Sequence, residues 1–196
     1  MIALSFQIEI FEGHNPSSYF WIMPVVLHKE FDIFLDDVER VNDEISIEED
    51  SIYSFLYYFY IRYFDDDLAI NQERIMCFDK NVVDGHHHLP GFDPNLEYNF
   101  YTYDTIKLML DDILNTAKLL EVDYDNESLK PVKEDFWLSL MTEDGSNDYK
   151  TEDENHPQAI KRNIHVVIDF YRRFVDRMNK MLDRNPSTNI ICIKGP

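Results

Sequence analysis

Residues 157–194, PQAIKRNIHVVIDFYRRFVDRMNKMLDRNPSTNIICIK, hold both kinds of regular structure that the rest of the chain predicts. Ile160, Ile164, Val167, Ile168, Tyr171, Phe174, Val175, Met178 and Leu182 fall on one face of a helix, because their spacing follows the 3.6-residue turn. Pro157 suits the first turn, where its missing N–H would have had no intrahelical partner, and Pro186 marks the stop. The apolar run that follows, Asn189 to Lys194, predicts a closing strand. A long amphipathic helix followed by a short strand already implies a mixed α+β fold.

Working back from this stretch, Ile106, Met109, Leu110, Ile113, Ala117 and Leu120 predict a second long helix, capped by Thr102 or Asp104 and ending near Val122. Between the two helices, Asp123 to Pro131 reads as a polar connection and Val132 to Met141 as a short helix carrying Trp137. Thr142 to Asn155 reads as an exposed acidic loop. Upstream, Asn81 to Asn99 contains Gly85, Pro90, Gly91 and Pro94 and reads as a loop, with a short strand over Arg74 to Phe78 before it.

The N-terminal part changes period. Ile2, Leu4, Phe6, Ile8 and Ile10 alternate with Ala3, Ser5, Gln7, Glu9 and Phe11, the pattern of a half-buried strand. Turn residues Gly13, Asn15, Pro16, Ser17 and Ser18 lead to a second run, Tyr19 to Leu27, so a hairpin is expected. Pro24 lacks a ladder donor and suggests an edge strand. From Lys29, Phe31, Phe34, Leu35, Val38 and Val41 suggest an amphipathic helix whose other face is the acid row Asp32, Asp36, Glu39 and Asp43. Ser46 and Glu49 have the spacing of a capping box, predicting a further helix that runs to Phe64. Eight of the twelve residues from Tyr53 to Phe64 are aromatic, so that helix must be central or partner-facing.

The expected architecture is one helix-rich α+β domain over residues 1–196, with an N-terminal β-hairpin or small antiparallel sheet packed against about four helices. Residues 1–28 are strand-rich, 29–184 mainly helical, and 185–196 an extended C-terminal segment. An apolar content of 44%, of which the aromatics make 14 percentage points, is enough to build a core.

Charge narrows the function. The formal net charge is −20, which opposes direct binding to nucleic acid or anionic lipid, since such binding draws its affinity from Lys and Arg. Residues 30–67 carry thirteen acids and two bases, and residues 121–155 twelve acids and three bases. Residues 156–196 reverse the balance with three acids and eight bases. The basic final helix can therefore neutralise one acidic segment internally but not both. The plain reading of the remainder is a solvated surface that maintains solubility.

The sharper reading is a protein-binding face. Asp32, Asp36, Glu39 and Asp43 would climb a helix by about 5 to 6 Å per step, a spacing that imitates phosphates. Tyr53, Tyr57 and Tyr60 share a face of the aromatic helix, flanked by Glu48, Glu49 and Asp50, and tyrosine at the centre of a charged rim is characteristic of binding hot spots. The opposing reading buries those tyrosines beneath a neighbouring helix.

Signals for chemistry are sparse. His86 and His88, with His87, Asp79 and Asp84 nearby, are the metal candidates. Adjacent histidines in an extended loop point to opposite sides, and no fourth ligand has diagnostic spacing, so neither metal nor cofactor is expected. His165 could act as a base if Asp169 one turn later oriented it. No phosphate-binding glycine loop, nucleophile elbow, HExxH or paired CxxC occurs. Cys77 and Cys192 lie among apolar neighbours and read as reduced thiols, and Met1 to Phe11 resemble neither a signal peptide nor a membrane span, so the expected compartment is the cytoplasm.

In physical character, small, acidic and tyrosine-bearing, the chain is similar to bacterial immunity proteins. The charge and the tyrosine face point to a non-catalytic protein that blocks a basic partner, a cognate toxin or nuclease, by steric and electrostatic occlusion. The alternatives are a DNA-mimic inhibitor of a defence or DNA-binding protein, an enzyme with a dispersed or metal-dependent site, and an assembly subunit whose aromatic helix packs on its own copy. Oligomeric state is left open by the sequence.

Overall fold

A computed structural model describes residues 10–13, 20–27, 38–40, 43–47, 56–64, 99–134, 161, 164–188 and 190–194. Short apolar segments form the strands β1 (Ile10–Glu12), β2 (Phe20–Leu27), β3 (Val38–Arg40), β4 (Ile45–Ile47), β5 (Asn99–Thr102) and β6 (Ile190–Lys194). The α-helices among the described residues are α1 (Tyr57–Phe64), α2 (Tyr103–Val122), α3 (Lys130–Glu134) and α4 (Ile164–Arg184), with a 3₁₀ turn at Glu127–Leu129. The strands join in one antiparallel sheet in the order β1-β4-β2-β6-β5, with β3 also paired to β2. The expected α+β architecture is therefore present, as a small antiparallel sheet with helices against it.

Strand alternation decides what the sheet presents. Ile22, Ile45, Ile47, Tyr101, Ile191 and Ile193 join the main core with residues of α1, α2 and α4. Met23, Val25, Phe100, Ile190 and Cys192 form a second, smaller apolar cluster. In the main core, α2 contributes Ile106, Met109, Leu110, Ile113, Ala117 and Leu120, and α4 contributes Val167, Ile168, Phe170, Tyr171, Phe174, Val175, Met178, Met181 and Leu182. Phe59 of α1 meets Tyr171 of α4 edge to face, with ring centroids 5.7 Å apart. Each such buried apolar side chain is worth about 1.5 to 3 kcal/mol relative to exposure.

The two long helices match their sequence pattern closely. Thr102 caps α2, its hydroxyl oxygen accepting from the Thr105 amide at 3.2 Å, and Val122 ends it. Of the predicted α4 face, Val167, Ile168, Tyr171, Phe174, Val175, Met178 and Leu182 are buried and Ile164 packs against the core, while Ile160 lies outside the described residues. β6 forms where the closing strand was expected. It is an interior strand, between β2 and β5, rather than a peripheral extension.

Five local expectations are corrected. β1 pairs with β4 and not with β2, so the described parts of the first two strands do not make a hairpin. β2 is not an edge strand. Pro24 lies opposite Ile191 of β6, and on the other side it falls in the gap between the β4 ladder, Phe20 to Ile22, and the β3 ladder, Val25 to Leu27. At such a break a missing donor interrupts no continuous ladder. The helix expected from Lys29 to Asp43 gives way over Val38–Arg40 to β3, whose pairing with β2 outweighs the local helical spacing. The capping box at Ser46 is absent, because Ile45, Ser46 and Ile47 are a fully buried strand and the Ser46 hydroxyl donates to the Gly13 carbonyl instead. Asn99, read as the end of a loop, begins β5. The proposed strand at Arg74 to Phe78, the acidic loop at Thr142 to Asn155 and Trp137 lie outside the described residues.

Candidate partner-binding surface

A surface for a basic partner needs acidic groups that the protein's own cations leave available, so the internal pairing decides the question. The basic helix α4 and its approach are extensively paired. Lys161 bonds Asp125 at 2.7 Å and Arg172 bonds Glu121 at 2.6 Å, both acids lying in or beside the 121–155 segment's start. Arg184 grips Asp43 through both carboxylate oxygens, at 2.7 and 2.9 Å, and Arg177 pairs with Glu12. Arg173 and Lys180 pair within the helix with Asp169 and Asp176, each one turn before. The positive segment is thus divided among both acidic segments, β1 and itself, rather than spent on one of them. Among its described side chains it is not an open basic patch.

Of the acid row predicted from the sequence, Glu39 lies in β3 and Asp43 two residues before β4, so these two do not belong to one helix face. Asp43 is further engaged by the side-chain amide of Asn185, which donates to it at 2.7 Å and also to the Met181 carbonyl at 2.7 Å. The Tyr103 hydroxyl donates to the Asn185 carbonyl at 3.2 Å and meets the Thr188 hydroxyl. Burial pushes the Tyr103 hydroxyl's pKa up, the Thr188 bond pulls it down, and the Asp43 charge raises it again. This network fastens the β4 approach, the start of α2 and the end of α4 together. Asp32, Asp36, Glu48 and Glu49 lie outside the described residues.

The aromatic helix divides between the two readings made of it. Leu56, Phe59 and Tyr60 are buried, and Tyr60 is only 1% exposed, so Tyr60 packs in the core and its side chain does not belong to a binding face. Its carbonyl accepts from the Tyr101 hydroxyl at 3.0 Å, and burial raises the pKa of its own hydroxyl far above the ordinary range. Tyr57 is in the helix but its side chain is not among those described, and Tyr53 lies outside the described residues.

One exposed cluster on this helix escaped the sequence reading. Arg62, with its side chain half exposed, lies 5.8 and 5.7 Å from the Tyr58 and Tyr63 ring centroids, donates to the Tyr58 hydroxyl, and pairs with Asp112 at 2.9 Å. The Tyr63 hydroxyl donates to the same carboxylate at 3.1 Å. The local half of this cluster, Tyr58 and Arg62 one turn apart, was visible in the sequence; the contact with α2 was not. A second cluster sets Lys133 and Lys161 over the Tyr124 ring at 4.6 and 5.1 Å. There the Lys161 hydrogen bond holds the Asp125 carboxyl below its ordinary pKa.

His165 is exposed on α4, and Asp169, which was to orient it, bonds Arg173 instead at 2.7 Å, so no base–orienter pair forms. His86 and His88 lie outside the described residues, among which no group of three or more His, Cys, Asp or Glu side chains is placed to hold a metal. Cys192 is buried and in no disulfide, and Cys77 lies outside the described residues. No helix among the described residues is long and apolar enough to cross a membrane. In comparisons with known proteins, no family model, no curated protein and no solved structure matches the chain.

Proposed function

We propose that this chain is a cytoplasmic acidic binding protein that neutralises a basic partner by steric and electrostatic blockade, and that the partner is a cognate toxin such as a nuclease. The observation that carries the reading is the fate of the cations. Lys161, Arg172, Arg173, Arg177, Lys180 and Arg184 are all engaged by the protein's own carboxylates, while the net charge remains −20. The excess negative field is therefore directed outward, where it attracts a cationic protein and accelerates encounter. Asp32, Asp36, Glu39, Glu48, Glu49, Tyr53 and Tyr57 are the proposed contacts. Asp43 and Tyr60 support the fold instead. The DNA-mimic alternative drew on a regular helical acid ladder, and we keep it second because Glu39 lies in the strand Val38–Arg40.

The test is affinity capture from the native source with low-salt and high-salt washes, followed by kinetics on the purified pair. A single basic partner is expected in a fixed ratio, its toxic activity abolished on binding. Association should slow with added salt and slow further in Glu48→Lys/Glu49→Lys, whereas Tyr57→Ala should chiefly speed dissociation. Failure to recover any partner under either wash would overturn the proposal.

A further inference from the structure

The three exposed large hydrophobic residues found among the described residues are Leu108, Leu114 and Val122, and all three lie on α2. Their exposures are 57%, 39% and 71%, although α2 buries its other face fully in the core. Scattered apolar side chains need no explanation, but a helix that concentrates them does.

Their placement has a symmetry. At about 100° per residue, Leu108, Asp111, Asn115, Lys118 and Val122 lie within an arc of roughly 80° on the outer side of α2. All five are exposed. Asn115 is at the centre of this row; Leu108 lies seven residues before it and Val122 seven after, while Asp111 lies four before and Lys118 three after. Reversing the row about Asn115 therefore superposes apolar on apolar at its ends and brings Asp111 to within one residue, about 1.5 Å of rise, of Lys118 between them. That is the self-complementarity a two-fold contact requires, where residue i of one copy meets residue j of the other and the reverse. Leu114 flanks the seam.

We infer that the outer face of α2 is a self-association surface, on which a second copy of this chain packs its own α2 antiparallel with the two-fold axis near Asn115. Leu108 of each copy then covers Val122 of the other, and Asp111 of each faces Lys118 of the other, giving two apolar and two ionic contacts across a seam of about 21 Å. A single helix pair of this length buries far less than the roughly 1,600 Å² of a standard stable interface, so the dimer is weak and concentration-dependent. The inference does not depend on the proposed toxin partner, since it uses another surface.

The contact is tested by sedimentation equilibrium of the full chain at physiological ionic strength, which screens the repulsion between two copies of charge −20. The weight-average mass should rise from 23.5 kDa toward twice that value as concentration approaches about 1 mM. Asp111→Lys and Lys118→Asp should each weaken association by about tenfold, because each turns both ionic contacts into like-charge pairs. The double variant Asp111→Lys/Lys118→Asp should restore it. Positions 111 and 118 are two turns apart and exposed, so these changes do not threaten the fold. Circular dichroism confirms that each variant is folded. A wild-type mass that stays at 23.5 kDa throughout, or association unaltered by the single reversals, or a double variant no better than the singles, would each overturn the inference.

Discussion

Asp43 shows how far a residue's role can move between sequence and structure. As the last member of a spaced acid row it looked like a docking group; folded, its carboxylate takes two bonds from Arg184 and one from Asn185, with its side chain only 16% exposed. Nothing in residues 29–43 could have announced this, because both partners lie more than 140 residues away. Replacing Asp43 with Ala removes both bonds from the half-exposed Arg184 guanidinium and one of the two made by the buried Asn185 amide, and should cost about 1 to 2 kcal/mol in urea unfolding. Lys180→Ala, which removes the exposed pair with Asp176 within α4, should cost under about 0.5 kcal/mol. Equal losses in the two variants would mean that the Asp43 network does not fasten the three segments.

For the elements, legibility followed length and period. α2 could be read almost to the residue and α4 in its buried face and its end before Pro186, since each repeats its apolar pattern over five or more turns, while the start expected at Pro157 lies outside the described residues. The short elements could not. Ser46 followed by Glu49 satisfies a helix-start pattern, yet Ile45 and Ile47 on either side satisfy a buried strand equally well, and pairing with β1 and β2 decides between them. β5 is four residues long and opens on a polar Asn, leaving little period to detect. Pro24 was read correctly as a residue without a ladder donor, but where that gap would fall depended on two separate strands meeting one edge of β2. The candidate site suffered the same limit: its acid and tyrosine content was visible, while which members pack inward was not. The cap of α2 gives a direct check of the element-level reading. Thr102→Ala should lower stability by about 1 kcal/mol, measured as a shift in denaturation midpoint at unchanged slope, whereas Thr102→Asp should retain most of it.

At the scale of the molecule, the balance is between a core spread over both long helices and the sheet and a surface carrying far more negative than positive charge. The ion pairs on α4 are mostly half exposed and worth little individually, so they do not offset the self-repulsion of a −20 chain. Added salt should therefore stabilise this protein: raising NaCl from about 20 mM to 300 mM should increase Tm by several degrees as the Debye length contracts from about 20 Å to under 6 Å. A Tm that falls over this range would show that the specific pairs outweigh the net field.

The interior position of β6 has a further consequence for how the chain is made. Ile190 to Lys194 lies between β2 and β5, so neither strand acquires this neighbour until a segment some 170 residues after β2 has been synthesised. At ribosomal speeds of about 5 to 20 residues per second, that leaves roughly ten to thirty seconds during which the nascent polypeptide holds unsealed, apolar strand edges. Such a chain must complete this sheet after β6 clears the exit tunnel.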